Sequence, residues 1–369
     1  MESFELALGL FFLALVYWDV FETIVVPRPT PGRFRLGRYL IRGAWRAARA
    51  TVGAEVGATR DRLLGLFAPA ATVLMLAGWL IGLVVGYGLI LFALRAELQP
   101  APRDLGTALY FAASSILTLG FGDIVAVGSL ARVVVVAAAA SGLGIVALVV
   151  TFLFSLFGSY QRREVSVVTL QAKAGVPPSA VVLLEALARL DLVARLPEFF
   201  GDWERWAAEV LDSHVAYPLL GYFRSSHDNL SWISALGTVL DAASLVLTTI
   251  LDVPRGQAEL MKGLGSHLVE DITSHGFRSV GSVGIDRPAF DSVHARLLDA
   301  GYRLVPADQA WEAFSAARVT YAPGLEAMAS YWAVPSPSWF GGSEPLRSPT
   351  HRQSDEVEAS SDDRGSRAT

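Results

Sequence analysis

The chain has 369 residues, 53% hydrophobic and 18% charged, with a net charge of −5 and no cysteine. Soluble chains carry roughly a quarter charged residues, so this composition argues against a purely soluble enzyme, and a charge near balance makes no case for nucleic-acid binding. Without cysteine there are no disulfides, iron–sulfur clusters or thiolate metal sites.

Leu6–Val26 is apolar except for Asp19 and Glu22. The acidic opening Met1-Glu2-Ser3-Phe4-Glu5 does not match the basic start of a signal peptide. A transmembrane helix over 1–27 is expected, with both acids near its end, where they reach interfacial water. The next segment, 28–62, carries Arg28, Arg33, Arg35, Arg38, Arg42, Arg46, Arg49, Arg60 and Arg62 against only Glu55 and Asp61. The spacing from Arg33 to Arg49 is irregular, with gaps of 2, 3, 4, 4 and 3, whereas a voltage-sensing helix repeats Arg every third residue through an apolar span. A basic amphipathic helix on the inner leaflet, drawn to anionic headgroups, fits better.

Leu63–Leu94 contains no Asp, Glu, Lys or Arg, and as a helix it is about 48 Å long, enough to cross a bilayer. Val133–Gln161 is a second uncharged run. The positive-inside rule puts 28–62 and everything after about 160 in the cytoplasm. The N-terminus and the loop at 96–129 then lie outside, in a multi-pass protein of the plasma membrane (bacterial-type cytoplasmic membrane). In the outer run, Gly78, Gly82 and Gly86 form a small-residue ridge suited to packing against the inner helix.

Between the two runs, Asp104 stands as an N-cap before the apolar, small-residue stretch Leu105–Leu117. That stretch is too short to cross and return as two helices. A re-entrant half-helix with an extended return is expected, and such backbone survives at membrane depth only if buried in protein or lining a watery path. It is followed by Thr118-Leu119-Gly120-Phe121-Gly122-Asp123. This hexad resembles the selectivity filter of potassium channels, usually written TVGYGD, and its setting between two membrane helices resembles that family's pore over about 63–163. A glycine-rich turn joining two helices is the plainer alternative, and Thr and Asp at both offsets argue against it.

The resemblance implies K+ as the transported ion and no organic cofactor. It assigns the ion to the backbone carbonyls of Thr118, Leu119, Gly120 and Phe121 and to the Thr118 hydroxyl, in place of the water shell. Gly120 and Gly122 supply positive φ, Leu119 and Phe121 brace the strand from outside, and Asp123 sits at the outer mouth. Two residues depart from the family pattern: Leu117 replaces a common threonine, and Phe121 lacks the usual tyrosine hydroxyl. Its brace is therefore expected to be apolar, through Tyr110 and Phe111. One such loop per chain implies a homotetramer. Ala137–Ala140 and Ser141 would line the cavity, with Gly142 and Gly144 either as a gating hinge or as small residues for close packing. A non-selective cation channel, or a membrane-anchored sensor with a vestigial pore, are the competing readings.

Residues 164–334 read as a helical cytoplasmic domain. Val181–Leu196 and Phe200–Asp212 show helical spacing, and Gln257–Ser274 and Ala289–Ala300 add further segments. Ser231–Leu251 carries only Asp241 as a charge and is expected as a buried helix rather than a fourth crossing. No GxGxxG follows a strand, so no nucleotide-binding domain is visible and the gating ligand is unassigned. His214, His227, His267 and His275 raise a metal question, most directly at Glu259, His267 and Glu270. Pro218–Asp228 reads as a helix corner or a contact surface. No nucleophile–base–acid set stands out, so an enzyme is not expected. Pro335–Thr369 lacks the apolar content for a core and is expected to be disordered. The fold class is thus an all-α membrane protein: three transmembrane helices, a re-entrant pore helix and filter, and a helical cytoplasmic domain.

Overall fold

The computed structural model describes residues 2–26, 36–52, 58–225, 230–274, 277 and 285–334, without the side chains of 25, 36–40 and 58–61. The tail at 335–369, His227 and His275 lie outside the described residues. The chain divides into two compact units, Met1–Tyr160 with Ser213–Phe223, and Gln161–Asp212 with Arg224–Thr369. A boundary near 163 was expected; the first unit also takes in Ser213–Phe223.

In chain order the first unit holds α1 (Glu2–Val20), a π-helical turn (Phe21–Val25), α2 (Leu36–Thr51), α3 (Ala58–Gly65), α4 (Phe67–Ala93) and α5 (Leu105–Ile116). It also holds the start of α6 (Ser129–Ala174). Among the described residues, three helical stretches are long and apolar enough to cross a membrane: Glu2–Ile24, Arg62–Ala93 and Ser129–Ala174. The last extends well past the uncharged run and includes Arg162, Arg163 and Glu164.

α1 lies antiparallel along α4. Arg95, just after α4, pairs with Glu2 at 2.9 Å and Glu5 at 3.4 Å, and the Trp79 indole N–H donates to Asp19 at 2.8 Å. Between these ends the backbones close up: a Cβ on Gly9 would sit 2.7 Å from the Gly86 carbonyl, and Gly82 and Gly86 face Val16 and Leu13. The glycine ridge therefore receives α1, not the inner helix, and Gly78 faces open space. Of the two acids near the end of α1, Asp19 accepts the Trp79 indole N–H and is half-buried, and Glu22 is 5% exposed.

The core of this unit joins α1, α4, α5 and α6 through Leu13, Val16, Leu83, Ile90, Phe111, Ile116 and Ile145. A two-residue ribbon, β1 (Leu98–Gln99) with β2 (Val125–Ala126), pairs antiparallel with Leu98 opposite Ala126. Beside it the Glu97 carboxylate accepts from the Ala131 N–H at 2.9 Å. An acid there satisfies a free amide of the first turn of α6 and complements its dipole. In α2, Trp45 is 1% exposed, against Phe67 and Tyr222 at ring distances of 4.9 and 5.3 Å. That part of its apolar face meets protein, not lipid. Ser213–Phe223 continues this aromatic layer: Tyr217 packs on Phe152, and Phe223 on Phe157 and Tyr160.

The second unit centres on α9 (Trp232–Thr248), whose side chains are buried nearly all round, the pattern of a core helix. Against it pack α7 (Ala180–Arg189), α10 (Gly256–Thr273), α12 (Ala307–Val319) and α13 (Ala322–Trp332). α11 (Arg287–Asp299) joins α7 through a bidentate Arg296–Glu185 pair, both contacts 2.7 Å. α8 (Leu196–Ala216) stacks Trp203 on Trp206 and sends the Trp206 indole N–H to the Arg163 carbonyl at 3.1 Å. Among the described residues, strand pairing in this unit is limited to the Ile250–Leu304 bridge, and no group of three or more His, Asp and Glu, that of Glu259, His267 and Glu270 included, is placed to hold a metal.

Asp241, the one charge in α9, is fully buried and anchors a polar cluster. Its Oδ1 accepts from Arg318 Nε at 3.1 Å and from the Tyr321 hydroxyl at 2.6 Å, and Tyr321 also contacts Ser244 at 3.0 Å. Burial pushes the Asp241 carboxyl and the Tyr321 phenol upward. Removing one partner of a buried pair strands the other charge. We expect Arg318→Met to destabilise the protein by about 3–5 kcal/mol. Arg318→Met with Asp241→Leu should recover most of the loss, read by chemical denaturation.

Candidate functional site

The segment between α5 and α6 holds the candidate site. Asp104 caps α5, its Oδ1 accepting from the Thr107 N–H at 2.8 Å and the Thr107 hydroxyl at 3.1 Å. These bonds hold the exposed carboxyl below its usual range. At the other end the helix closes by a Schellman motif. The Leu119 N–H bonds to the Ser114 carbonyl at 2.8 Å and the Thr118 N–H to the Ser115 carbonyl at 3.1 Å. Such a closure puts the residue after the cap in the left-handed region. Thr118 occupies it, with φ +55°, where glycine is usual and a β-branched side chain is strained.

Gly120 and Gly122 follow at φ +60° and +79°, so positive φ recurs at every second residue from 118 to 122. In an extended strand of uniform hand, successive carbonyls point to opposite sides. Alternating the hand turns them toward one side. Among the described residues, none of the carbonyl oxygens of Thr118, Leu119, Gly120 and Phe121 accepts a backbone hydrogen bond. A Cβ on Gly120 or Gly122 would meet nothing within 4 Å, so the backbone angle, rather than space, demands glycine there.

Leu119 and Phe121 are 54% and 65% exposed within one chain. Phe121 stacks parallel to Tyr110, with ring centroids 6.4 Å apart. The Tyr110 hydroxyl is directed toward the Asp123 carboxylate. The brace expected to be apolar therefore carries a hydroxyl, supplied by α5. Phe111, the other expected brace, turns into the core instead. Tyr110 and Phe111 are adjacent on a helix and so project about 100° apart; only one can face the segment. Neither the direction of this hydroxyl nor the left-handed Thr118 carries a sequence signal, since Tyr and Thr have no fixed partner or backbone angle.

The two glycines of α6 fall in different surroundings. A Cβ on Gly142 would collide with the Ile116 carbonyl, at the last residue of α5, whereas a Cβ on Gly144 would meet nothing within 4 Å. Gly142 therefore allows α6 to touch the end of α5, two residues before Thr118.

Residues 73–159, which take in most of α4, all of α5, the connecting segment and α6 as far as Ser159, match the model of an ion-channel family. No curated protein and no solved structure matches the chain. The family match and the three long apolar helices together support an integral membrane protein with ion-channel function.

The Gly142 contact predicts a sharp difference between neighbours. Gly142→Ala should lower stability by about 1–3 kcal/mol through overpacking. Gly144→Ala should be neutral or stabilising by up to ~1 kcal/mol, the usual gain from alanine in a helix. Thermal unfolding of the purified protein in detergent distinguishes the two.

Proposed function

We propose that the chain is one subunit of a homotetrameric, potassium-selective channel that conducts K+ passively across the plasma membrane. The observation that carries the reading is the row of carbonyls at Thr118, Leu119, Gly120 and Phe121, free of backbone donors and set on a strand of alternating hand. A cation stripped of water needs a ring of oxygens at fixed spacing, and four copies of this strand around one axis provide successive rings. The Thr118 hydroxyl adds a further oxygen at the inner end. Asp123, toward which the Tyr110 hydroxyl is directed, lies at the outer mouth and attracts cations. α5 acts as the re-entrant pore helix, the negative end of its dipole directed at the cavity below.

Val133, Val136, Leu143 and Phe154 of α6 are each more than half exposed in a single chain, an apolar surface for lipid or neighbouring subunits to cover. With the arginine-rich segment inside, the N-terminus and the 96–129 loop face outward, and Arg42, Arg46 and Arg49 of α2 lie near anionic headgroups. The helical second unit is then cytoplasmic and carries the control of the gate.

The test is potassium flux through purified protein in liposomes, with the reversal potential measured in potassium and sodium gradients. A reversal potential that follows potassium and ignores sodium is expected; one that follows both ions identifies a non-selective channel, and no flux identifies a vestigial pore. Gly120→Ala adds a left-handed penalty of about 1–2 kcal/mol per subunit and should abolish selectivity or current. Normal selective current from that variant refutes the filter assignment.

A further inference from the structure

We infer that the hydroxyls of Tyr17, Tyr87 and Ser141 form a clasp through which α1 holds α6 beside Gly142, and that Tyr17 thereby sets the balance between open and closed pores. The inference rests on the channel reading above.

Three helices meet at this point. The Tyr17 hydroxyl from α1 contacts the Tyr87 hydroxyl from α4 at 3.1 Å, and both tyrosines contact Ser141 of α6, Tyr87 at 2.7 Å. Ser141 itself donates to the Ala137 carbonyl one turn back, at 2.6 Å. Its proton is thereby used within its own helix, so its oxygen is free to accept from both tyrosines. Tyr87 belongs to the apolar core that holds Leu13, Val16, Leu83, Ala138 and Ile145, while Ser141 is half-buried and Tyr17 is 39% exposed in the single chain. At membrane depth the buried Tyr87 hydroxyl has no water to replace a lost partner. Moving α6 away would leave the two phenols only each other, so that one of their protons lacks an acceptor, and Tyr87, only 5% exposed, could not turn to solvent.

The clasp falls where α6 is easiest to bend. A serine bonded to the carbonyl four residues earlier tends to bend a helix, and Gly142 and Gly144 follow directly. Ser141 also precedes the residue that touches the Ile116 carbonyl. A shift of Ser141 therefore displaces the contact two residues below Thr118. α1 is in turn fixed to α4 by contacts independent of the clasp: Asp19 with Trp79, Glu2 and Glu5 with Arg95, and Gly9 against Gly86. The pair α1–α4 is the anchor and α6 the element it holds. Tyr17 lies outside the segment that matches the ion-channel family, which covers 73–159. The clasp thus adds a control contributed by the N-terminal helix to the matched pore segment.

The test uses the full chain in liposomes and planar bilayers, comparing wild type with Tyr17→Phe, Ser141→Ala and the double variant. Interhelical hydrogen bonds in membranes correspond to changes of roughly 3- to 20-fold in an equilibrium. Tyr17→Phe should shift the open-to-closed ratio of single channels by that amount without altering the potassium-to-sodium ratio. Ser141→Ala should shift it in the same direction, and the double variant no further than Ser141→Ala alone. A second arm, independent of ion flow, measures thermal unfolding of the same four proteins in detergent, where non-additive midpoints show that the clasp forms. Coupled unfolding with an altered open fraction supports the inference. Coupled unfolding with an unaltered open fraction overturns the control role, and additive unfolding overturns the clasp itself. A wild type that passes no potassium refutes the channel reading and with it the control role, while the unfolding arm still reports whether the three hydroxyls are joined.

Discussion

Among the described residues the carbonyls of Thr118–Phe121 accept no backbone hydrogen bond, and four such oxygens in succession need water, a donor or a cation. The rest of the first unit bears on that condition. α5 ends in a closed Schellman turn, which fixes where the strand starts. Left-handed angles at 118, 120 and 122 set its alternating hand, and the ribbon at Val125–Ala126 ends it against Leu98–Gln99. The strand is therefore pinned at both ends by its own chain. Its middle is braced within the chain where Tyr110 stacks on Phe121.

The packing around that strand depends on small residues. Gly142 lets α6 reach the Ile116 carbonyl, and Gly9, Gly82 and Gly86 let α1 and α4 close on each other. In a bilayer the hydrophobic effect does not drive helices together, so close backbone approach and polar contacts take on that role. The polar contacts here are few and specific: Asp19 with Trp79, Arg95 with Glu2 and Glu5, and the three hydroxyls around Ser141. Each joins α1 to a helix of the matched segment.

The second unit follows the opposite logic. Its central helix α9 is held in a soluble-type core by Val, Leu and Ala, and one oxygen of its single charge, Asp241 Oδ1, is met by Arg318 and Tyr321 rather than by solvent. The aromatic layer of Ser213–Phe223 belongs to the first unit although it lies far along the chain. Tyr222 sits between Trp45 and Phe67, and Phe223 between Phe157 and Tyr160, so one short segment touches α2, α4 and α6.

Much of this was legible in the residue order because it depends on local chemistry. Uncharged runs mark helices long enough to cross a bilayer, Asp104 marks the start of α5, and glycine at 120 and 122 marks positive φ, each being a property of a residue and its immediate neighbours. A choice of partner is different, because it depends on which surfaces meet. The glycine ridge of α4 could have received either neighbour and receives α1. Glu22 could have faced water and is enclosed by protein, while Asp19, half-buried, takes an indole donor from α4. Either aromatic at 110–111 could have braced the strand, and helix rotation selects Tyr110. Gly142 and Gly144 are the same residue two positions apart, yet only the first touches another backbone. Residue type and spacing determine which elements form and where they begin; the tertiary structure alone decides which faces are in contact, because a side chain's partner lies across a gap that no local pattern encodes.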